Sequence, residues 1–130
     1  METWMITGVT GFLGPRVEVT LREKGEVEVL PMTREELNFT DEEQVKRVLG
    51  TLHPDVLVHA AAVSDTGACE RDPEGSWKVN VTGVEYLSKA CRENGTKLIF
   101  ASSDQVYTGS EVRTPHREDE ILTPANVYGR

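Results

Sequence analysis

Three regularly spaced glycines near the amino terminus constrain the fold of this chain more than any other feature. In ITGVTGFLG, Gly8, Gly11 and Gly14 follow a short apolar run and open an amphipathic segment. Where a strand turns into a helix through such glycines, unpaired N–H groups meet the positive end of the helix dipole. The pattern therefore predicts a turn that holds the phosphates of a dinucleotide. A strand-to-helix turn without a ligand is the alternative.

The three glycines have different expected roles. Gly8 permits the tight turn, Gly11 lets the backbone approach a diphosphate, and Gly14 lets the helix pack closely on the strand. We expect the whole turn to contact the cofactor. Its candidate binding residues are Gly8, Thr10, Gly11, Phe12, Leu13 and Gly14.

Along the rest of the chain, short apolar runs alternate with helical patterns. The apolar runs occupy residues 4–7, 27–32, 55–61 and 97–102, and the helical patterns occupy about residues 12–24, 40–52 and 72–94. Such alternation is typical of βαβ units in an α/β fold with a doubly wound parallel sheet. Two of the runs, VLV and LIFA, are apolar without alternation, which predicts strands covered on both faces.

Local signals predict where the helices begin and which side chains they bury. The second helix is expected to begin at Thr40, which would form a capping box with Glu43. The third is expected to begin at Asp72, with Pro73 in the first helical position. Residues from about 108 to 126 are predicted to form a loop. The predicted buried face of the third helix comprises Trp77, Val81, Val84, Leu87 and Cys91.

Size and charge exclude several classes of protein. At 130 residues the chain has room for one domain. Its 22 acidic and 14 basic residues give a net charge of -8, which argues against nucleic-acid binding. No apolar run approaches the roughly 18–20 residues that cross a bilayer, and no signal peptide is expected. Cys69 and Cys91 lack metal-ligand spacing, so we expect reduced thiols in a cytoplasmic protein without a metal site.

The end of the second strand bears on the choice of cofactor. An NAD site usually holds an acidic residue there, which bonds the ribose 2′-hydroxyl. This chain has Thr33 and Arg34 instead, a hydroxyl and a guanidinium that suit a 2′-phosphate. Glu35 and Glu36 follow at once, and an ordinary surface charge is the alternative for Arg34. The sequence therefore favours NADP, with NAD as the alternative.

Four segments together resemble the extended short-chain dehydrogenase/reductase family. They are TGVTGFLG, HAAAVSD with Asn80 downstream, LIFASSDQVYTG and EDEILTPANVYGR, and they span nearly the whole chain. Within that family, LNFTDEEQV and SSDQVYTG are most similar to dTDP-4-dehydrorhamnose reductases and related nucleotide-sugar proteins. The resemblance implies a Rossmann-type sheet and an NADP(H)-dependent oxidoreductase that transfers hydride to or from a nucleotide-sugar substrate.

The resemblance also assigns residues to the reaction. Ser103 matches the catalytic Ser/Thr that hydrogen-bonds the reacting oxygen, and Tyr128 matches the general acid/base of the YxxxK motif. The family's Lys, four residues after that Tyr, falls outside the 130 residues. We therefore expect residues 1–130 to be an NAD(P)-binding domain, truncated before this Lys and the substrate-binding portion and inactive alone. As alternatives, Tyr128 packs at a helix start or frays, and Ser103 satisfies backbone groups at a strand end.

Further residues match the family's cofactor site. The family has a turn beneath the ribose and diphosphate, an asparagine near the cofactor, and a pair of residues beside the adenine. Their counterparts are, in that order, Ala60, Ala61 and Ala62; Asn80; and Asn38 with Phe39. His59, on an apolar strand end, is predicted instead to be a satisfied core residue without a chemical role.

Other functions remain open beside the reductase. Some relatives of these reductases serve as non-catalytic dinucleotide-binding regulatory modules bound to another enzyme, and others are NAD-dependent sugar epimerases or dehydratases. A flavodoxin-like domain is disfavoured by the second glycine and by the pairing of SSDQVY with Tyr128. If the sheet ends with the fourth strand, its apolar edge predicts self-association or a missing C-terminal portion.

Overall fold

Strands and helices alternate along the chain in this computed structural model, which describes residues 1–108 and 114–130. The strands are β1 (Glu2–Thr7), β2 (Val27–Met32), β3 (Val56–His59) and β4 (Lys97–Phe100). The helices are α1 (Leu13–Lys24), α2 (Glu42–Leu52), α3 (Thr66–Arg71), α4 (Pro73–Trp77) and α5 (Gly83–Asn94). A π-helical turn (Lys78–Thr82) joins α4 to α5, and a 3-10 turn (Asp104–Val106) follows β4. The predicted α/β fold is confirmed.

The four strands form a parallel sheet in the order β2-β1-β3-β4. After β2, the chain crosses back over β1 and places β3 on its other side, where Thr7 and His59 are register partners. The winding direction therefore reverses between the carboxyl ends of β1 and β3. In open α/β sheets, ligands bind at such a reversal point. The topology thus makes this edge of the sheet the candidate position for a binding site.

Helices cover both faces of the sheet, as expected of a doubly wound fold. Neighbouring residues of β1, Met5 and Ile6, point to opposite faces, and both are fully buried. One apolar cluster, between the sheet and the helices α2 and α5, comprises Met5, Leu37, Val45, Leu49, Leu57, Leu87, Ala90 and Cys91. The other, on the α1 side, comprises Ile6, Val29, Val56 and Val58, with Val17 and Leu21 of α1 packed against it.

The edge strand β4 departs from the prediction. It pairs with β3 on one side, and within the described part of the chain no strand pairs with its other side. Ile99 and Phe100 are consequently 38% and 50% exposed. The interpretation of LIFA as a strand covered on both faces is therefore wrong, whereas VLV, in β3, is buried throughout.

The start of α2 also differs from the prediction. Its N-cap is Asp41, whose carboxylate accepts the N–H of Gln44 at 3.1 Å. Thr40 does not cap the helix, because its hydroxyl donates to Oδ1 of Asn38 at 2.7 Å. The carboxylate of Glu43 pairs with a lysine one turn on instead of reaching back to the cap.

The third predicted helix is one continuous run made of α4, the π turn and α5. It begins as predicted, with Asp72 as N-cap and Pro73 in the first turn. The wider π turn shifts the helical phase of the residues before it. As a result, Trp77 is 55% exposed instead of buried, and its neighbour Ser76 takes the buried position. The short helix α3 was not predicted.

Among the described residues, no helix is both long enough and apolar enough to cross a bilayer. In the same ranges, no three His, Cys, Asp or Glu side chains come together as ligands of a metal ion. Cys69 and Cys91 are free and buried, and burial raises the pKa of the Cys91 thiol to about 11. Of the predicted loop over residues 108–126, residues 109–113 lie outside the described part, and residues 114–126 contain turns and irregular backbone.

Candidate dinucleotide-binding site

The glycine turn after β1 is tightly packed at two of its three glycines. Gly8 has a φ of 75°, and a Cβ there would lie 2.6 Å from the carbonyl carbon of Ala60. A Cβ on Gly14 would lie 2.2 Å from the carbonyl oxygen of Gly8. The N–H of Gly11 donates to the same oxygen at 3.1 Å and closes the turn. The turn at Gly8 and the close helix packing at Gly14 are therefore present as predicted.

Gly11 differs from the other two glycines. It is exposed, its φ is not positive, and a Cβ would meet only the carbonyl oxygen of Gly8, at 3.4 Å. Packing within the described residues therefore does not require glycine at this position. A ligand that lies against the backbone does require it, because a side chain would occupy the same space. The turn thus fits a diphosphate.

The start of α1 is also suited to an anion. Its N-cap is Phe12, no side chain of the described residues caps the helix, and its first turn contains no acidic residue. The backbone N–H groups of this turn point along the helix dipole toward the open end. Arg16 adds positive charge, since its guanidinium lies 3.9 Å from the Phe12 ring and donates to the Phe12 carbonyl at 2.6 Å. Sequence reasoning missed this arginine.

A cleft runs along the carboxyl edge of the sheet, and Ala61 and Ala62 line it over its whole length. The first part of the cleft is lined by Thr33, Arg34, Asn38 and Phe39. The middle part is lined by Gly8, Thr10, Gly11, Phe12, Leu13 and Ala60. The last part is lined by Asn80, Ser103 and Tyr128. The fold thus brings the predicted site residues together, except Gly14, which is buried behind the turn.

At the first end of the cleft, the donors of Thr33 are already engaged. Both its N–H and its hydroxyl donate to Oε2 of Glu36 at 2.8 Å, and these bonds lower the pKa of the Glu36 carboxyl. Arg34 is exposed, and its guanidinium has no ion-pair partner in residues 1–108 and 114–130. Of the two residues predicted to favour a 2′-phosphate, Arg34 is therefore the one whose N–H groups can donate hydrogen bonds to it.

The neighbouring pair is held in place by its surroundings. Oδ1 of Asn38 accepts from the N–H of Thr40 at 3.2 Å, in addition to the hydroxyl bond described above. The Phe39 ring meets His59 edge to face, with ring centroids 4.8 Å apart. The ring also lies against Gly83 of α5, where a Cβ would lie 2.5 Å from it. Phe39 is therefore a fixed wall of the cleft.

His59 lies beneath the cleft at the reversal point of the sheet. Its Nδ1 is 2.7 Å from the hydroxyl of Thr7, which joins the ends of β1 and β3. Burial lowers the pKa of His59 to about 4, so the ring is neutral near neutral pH. The predicted burial is confirmed, but Nε2 is buried without a hydrogen-bond partner among the described residues. The prediction of a fully satisfied side chain is therefore wrong.

Asn80 fixes the backbone that follows the three alanines. Its Oδ1 accepts from the N–H of Val63, and its Nδ2 donates to the carbonyl of Val63, both at 2.9 Å. The π turn carries Asn80 to this position, and such turns are frequent at functional sites. Because both ends of the amide are used, Asn80 shapes the cleft wall.

Ser103 and Tyr128 both line the last part of the cleft although they are far apart in sequence. Oγ of Ser103 accepts the N–H of Gln105 at 3.2 Å, so the side chain does satisfy a backbone group. The same hydroxyl keeps its own proton for donation. Tyr128 is half-buried in a turn. A hydroxyl and a phenol therefore line the same part of the cleft.

Residues 2–130 match the sequence model of a family described as the RmlD substrate binding domain. The chain belongs to this family. The RmlD-family chain is 33% identical, over 99% of its length, to a dTDP-4-keto-6-deoxy-D-glucose reductase of Streptomyces niveus, of which it covers 44%. It is 36% identical, over 97% of its length, to methionine adenosyltransferase 2 subunit beta of Xenopus laevis, of which it covers 39%.

Solved structures agree with the fold of the RmlD-family chain. The crystal structure of dTDP-4-dehydrorhamnose reductase from Bacillus anthracis in complex with NADP matches it with a TM-score of 0.93 and 27% identity. That match covers 99% of this chain and 46% of the reductase. The predicted resemblance and the Rossmann-type sheet are confirmed. The chain spans less than half the length of these relatives and corresponds to their N-terminal part.

Proposed function

We propose that this chain forms the cofactor-binding half of an NADP(H)-dependent reductase of nucleotide-linked sugars. The observation that carries the proposal is the glycine turn. Gly11 borders the cleft where packing does not require glycine, and no side chain in the described part of the chain caps the helix start beside it. The Streptomyces relative, named as a reductase of a dTDP-linked keto sugar, and the Bacillus reductase in complex with NADP support the substrate class and the cofactor.

Tyr128 and Ser103, in the last part of the cleft, would transfer and position the proton of the substrate oxygen. When bound, the nicotinamide ring supplies or accepts the hydride. Tyr128 would exchange a proton with the substrate oxygen, and Ser103 would hydrogen-bond that oxygen. Acid/base work near neutral pH by any tyrosine needs about 4 kcal/mol of phenolate stabilisation relative to the free amino acid. The family's lysine falls outside the 130 residues, so we expect cofactor binding without turnover.

Calorimetric titration of the purified chain with NADPH and with NADH tests this function. We expect both nucleotides to bind, with NADPH about tenfold tighter because Arg34 can pair with the 2′-phosphate. Arg34→Gln should remove most of that difference. Arg47→Gln, at an exposed position of α2 outside the cleft, is the matched control and should change neither affinity.

Two outcomes of this titration would change the assignment. If neither nucleotide binds, the dinucleotide site is wrong and the roles given to Ser103 and Tyr128 have no support. If NADH binds more tightly than NADPH, the cofactor is NAD, and a sugar epimerase or dehydratase becomes the better assignment.

A cytoplasmic location fits either enzyme, since both cysteines are free and buried.

A regulatory module is the second candidate function. It is favoured by the 36% identity to methionine adenosyltransferase 2 subunit beta, which is named as a subunit. Both candidates predict nucleotide binding, so the titration does not separate them. The reductase needs a lysine at the fourth position after Tyr128, whereas a module without turnover has no such requirement. Reading the coding sequence past codon 130 decides between them: a lysine there, followed by a substrate-binding portion, favours the enzyme.

We also propose that the chain of 130 residues self-associates through the open edge of β4. Ile99 and Phe100 are exposed on this strand, and no strand within residues 1–108 and 114–130 pairs with its outer side. Such an edge favours pairing with a second copy of the same strand. Light scattering coupled to size exclusion should show a dimer or larger species. A stable monomer at all concentrations would contradict this proposal.

A further inference from the structure

The turn that carries Tyr128 is tied to two distant parts of the chain. The N–H of Val127 donates to Oε1 of Glu70, on α3, at 2.8 Å. Nδ2 of Asn126 donates to Oε1 of Gln105, in the 3-10 turn, at 3.0 Å. Glu70 and Gln105 do not belong to the residues that line the cleft. Their contacts instead fix the residues on the amino-terminal side of the tyrosine.

Gln105 connects this turn directly to Ser103. Its N–H donates to the serine hydroxyl at 3.2 Å while its side chain accepts from Asn126. Its carbonyl oxygen lies so close to Gly129 that a Cβ there would approach it to 2.2 Å. Gln105 thus contacts Ser103 and also the residues on both sides of Tyr128, Asn126 and Gly129. The separation of the two side chains therefore depends on Gln105.

The turn itself is closed by internal hydrogen bonds. Oδ1 of Asn126 accepts the N–H of Gly129 at 2.8 Å, and the N–H of Arg130 donates to the carbonyl of Val127 at 3.3 Å. A displacement at either anchor would therefore move the turn as a unit, with Tyr128 inside it. Glu70 supplies the second anchor, from a helix that follows the alanine wall of the cleft.

We propose that Glu70 and Gln105 are positioning residues that hold Tyr128 beside Ser103. The inference rests on the proposed function, in which both side chains act on one substrate oxygen. Acid/base catalysis requires hydrogen-bond reach, and a misplacement of about 1 Å can cost about 100-fold in rate. The residues act through the turn and touch neither substrate nor cofactor.

Nuclear magnetic resonance of the nucleotide-free chain tests the proposal. The phenol carbon signal of Tyr128 is assigned with Tyr128→Phe, and amide exchange is followed at Val127. In Glu70→Ala the Val127 amide should exchange about tenfold faster, since one hydrogen bond is lost. In both Glu70→Ala and Gln105→Ala the Tyr128 signal should shift, while amides of the sheet keep their protection.

Conservative variants separate positioning from a general loss of stability. Glu70→Gln and Gln105→Glu both keep an Oε1 acceptor, so each should restore the native Tyr128 signal. Glu93→Ala, at an exposed position of α5, is the control for the lost charge and should leave the signal unchanged. A Tyr128 signal that stays unchanged in both alanine variants, or that shifts equally in the control, would overturn the proposal.

The result of the magnetic resonance experiment does not depend on whether the chain binds a cofactor. Failure of the nucleotides to bind would contradict the proposed function, whereas the Tyr128 turn would still show its native signal and a protected Val127 amide. Conversely, a Val127 amide that exchanges in the wild-type chain as fast as in an unstructured peptide would refute the positioning role, whatever the titration shows.

Discussion

The starts of α1 and α2 are built in opposite ways, although the helices have similar lengths of 12 and 11 residues. The start of α2 carries the carboxylate of Asp41 as a cap and has Glu42 and Glu43 in its first turn. At the start of α1, no side chain of the described residues forms such a cap, the first turn holds no acid, and Arg16 lies at its end. Acids stabilise a helix start and bases oppose it, each by about 0.3–1 kcal/mol.

The difference shows that α1 is not optimised for stability alone. Two other helices, α3 and α4, also begin with a capping aspartate, Asp65 and Asp72. Omitting a cap costs about 1 kcal/mol. An anion bound at the open end of α1 would satisfy the same N–H groups and would neutralise the basic charge. We therefore interpret the start of α1 as a binding site and the start of α2 as a structural terminus.

The largest expected effect comes from adding a methyl group at Gly14, where α1 packs against the glycine turn. Gly14→Ala places a methyl group 2.2 Å from the carbonyl oxygen of Gly8, which the backbone cannot avoid without opening the turn. We expect the free energy of unfolding to fall by about 3–4 kcal/mol, in the range of severe overpacking. Urea denaturation of the variant and the wild type measures this difference in the free energy of unfolding.

A glycine of α2 supplies the matched control. At Gly50 the nearest atom to an added Cβ would be 3.9 Å away. Gly50→Ala should stabilise the chain by about 0.5–1 kcal/mol, because alanine favours the helix. If Gly14→Ala is tolerated as well as Gly50→Ala, the close packing of α1 on the turn is wrong.

The next effect concerns binding and not folding. Gly11→Asp would give α1 a carboxylate near its start, as α2 has, in the space assigned to a phosphate. A Cβ fits there, at 3.4 Å from the nearest atom, so the free energy of unfolding should change by less than about 1 kcal/mol. NADPH affinity should fall about 100-fold, close to 3 kcal/mol, through repulsion and blocked space.

The neutral variant Gly11→Asn separates the two causes. It fills nearly the same space without the charge, so the loss of NADPH affinity should be smaller, about tenfold. Calorimetry on both variants provides the comparison. Wild-type affinity in Gly11→Asp would mean that the nucleotide does not bind at the start of α1.

Local signals in the sequence were sufficient where one residue decides the structure. Gly8 and Gly14 were assigned to a tight turn and to close packing, and both contacts are present. The cap at Asp72 followed by Pro73 was also predicted correctly. The predicted cap of α2, Thr40, lies one residue before the observed cap, since Thr40 and Asp41 are both good capping residues. The choice between them depends on Asn38, which holds the threonine hydroxyl.

Other features depend on contacts that the sequence does not reveal. A regular helical period predicts that Trp77 shares a buried face with Leu87 and Cys91, and the π turn interrupts that period. The engagement of Thr33 by Glu36 and the unpaired Nε2 of His59 both require knowing the tertiary arrangement. The gathering of Ser103 and Tyr128 in one cleft was inferred from resemblance, because no local pattern links positions so far apart.

The smallest expected effect is at the cap of α2. Asp41→Ala removes the carboxylate that accepts from Gln44, so the free energy of unfolding should fall by about 1 kcal/mol. Asp41→Ser keeps a cap and should recover most of that loss. NADPH affinity should match the wild type in both variants, since Asp41 does not line the cleft. A loss of nucleotide affinity in Asp41→Ala would show that the two helix starts are coupled, and the assignment of one to binding and the other to stability would then fail.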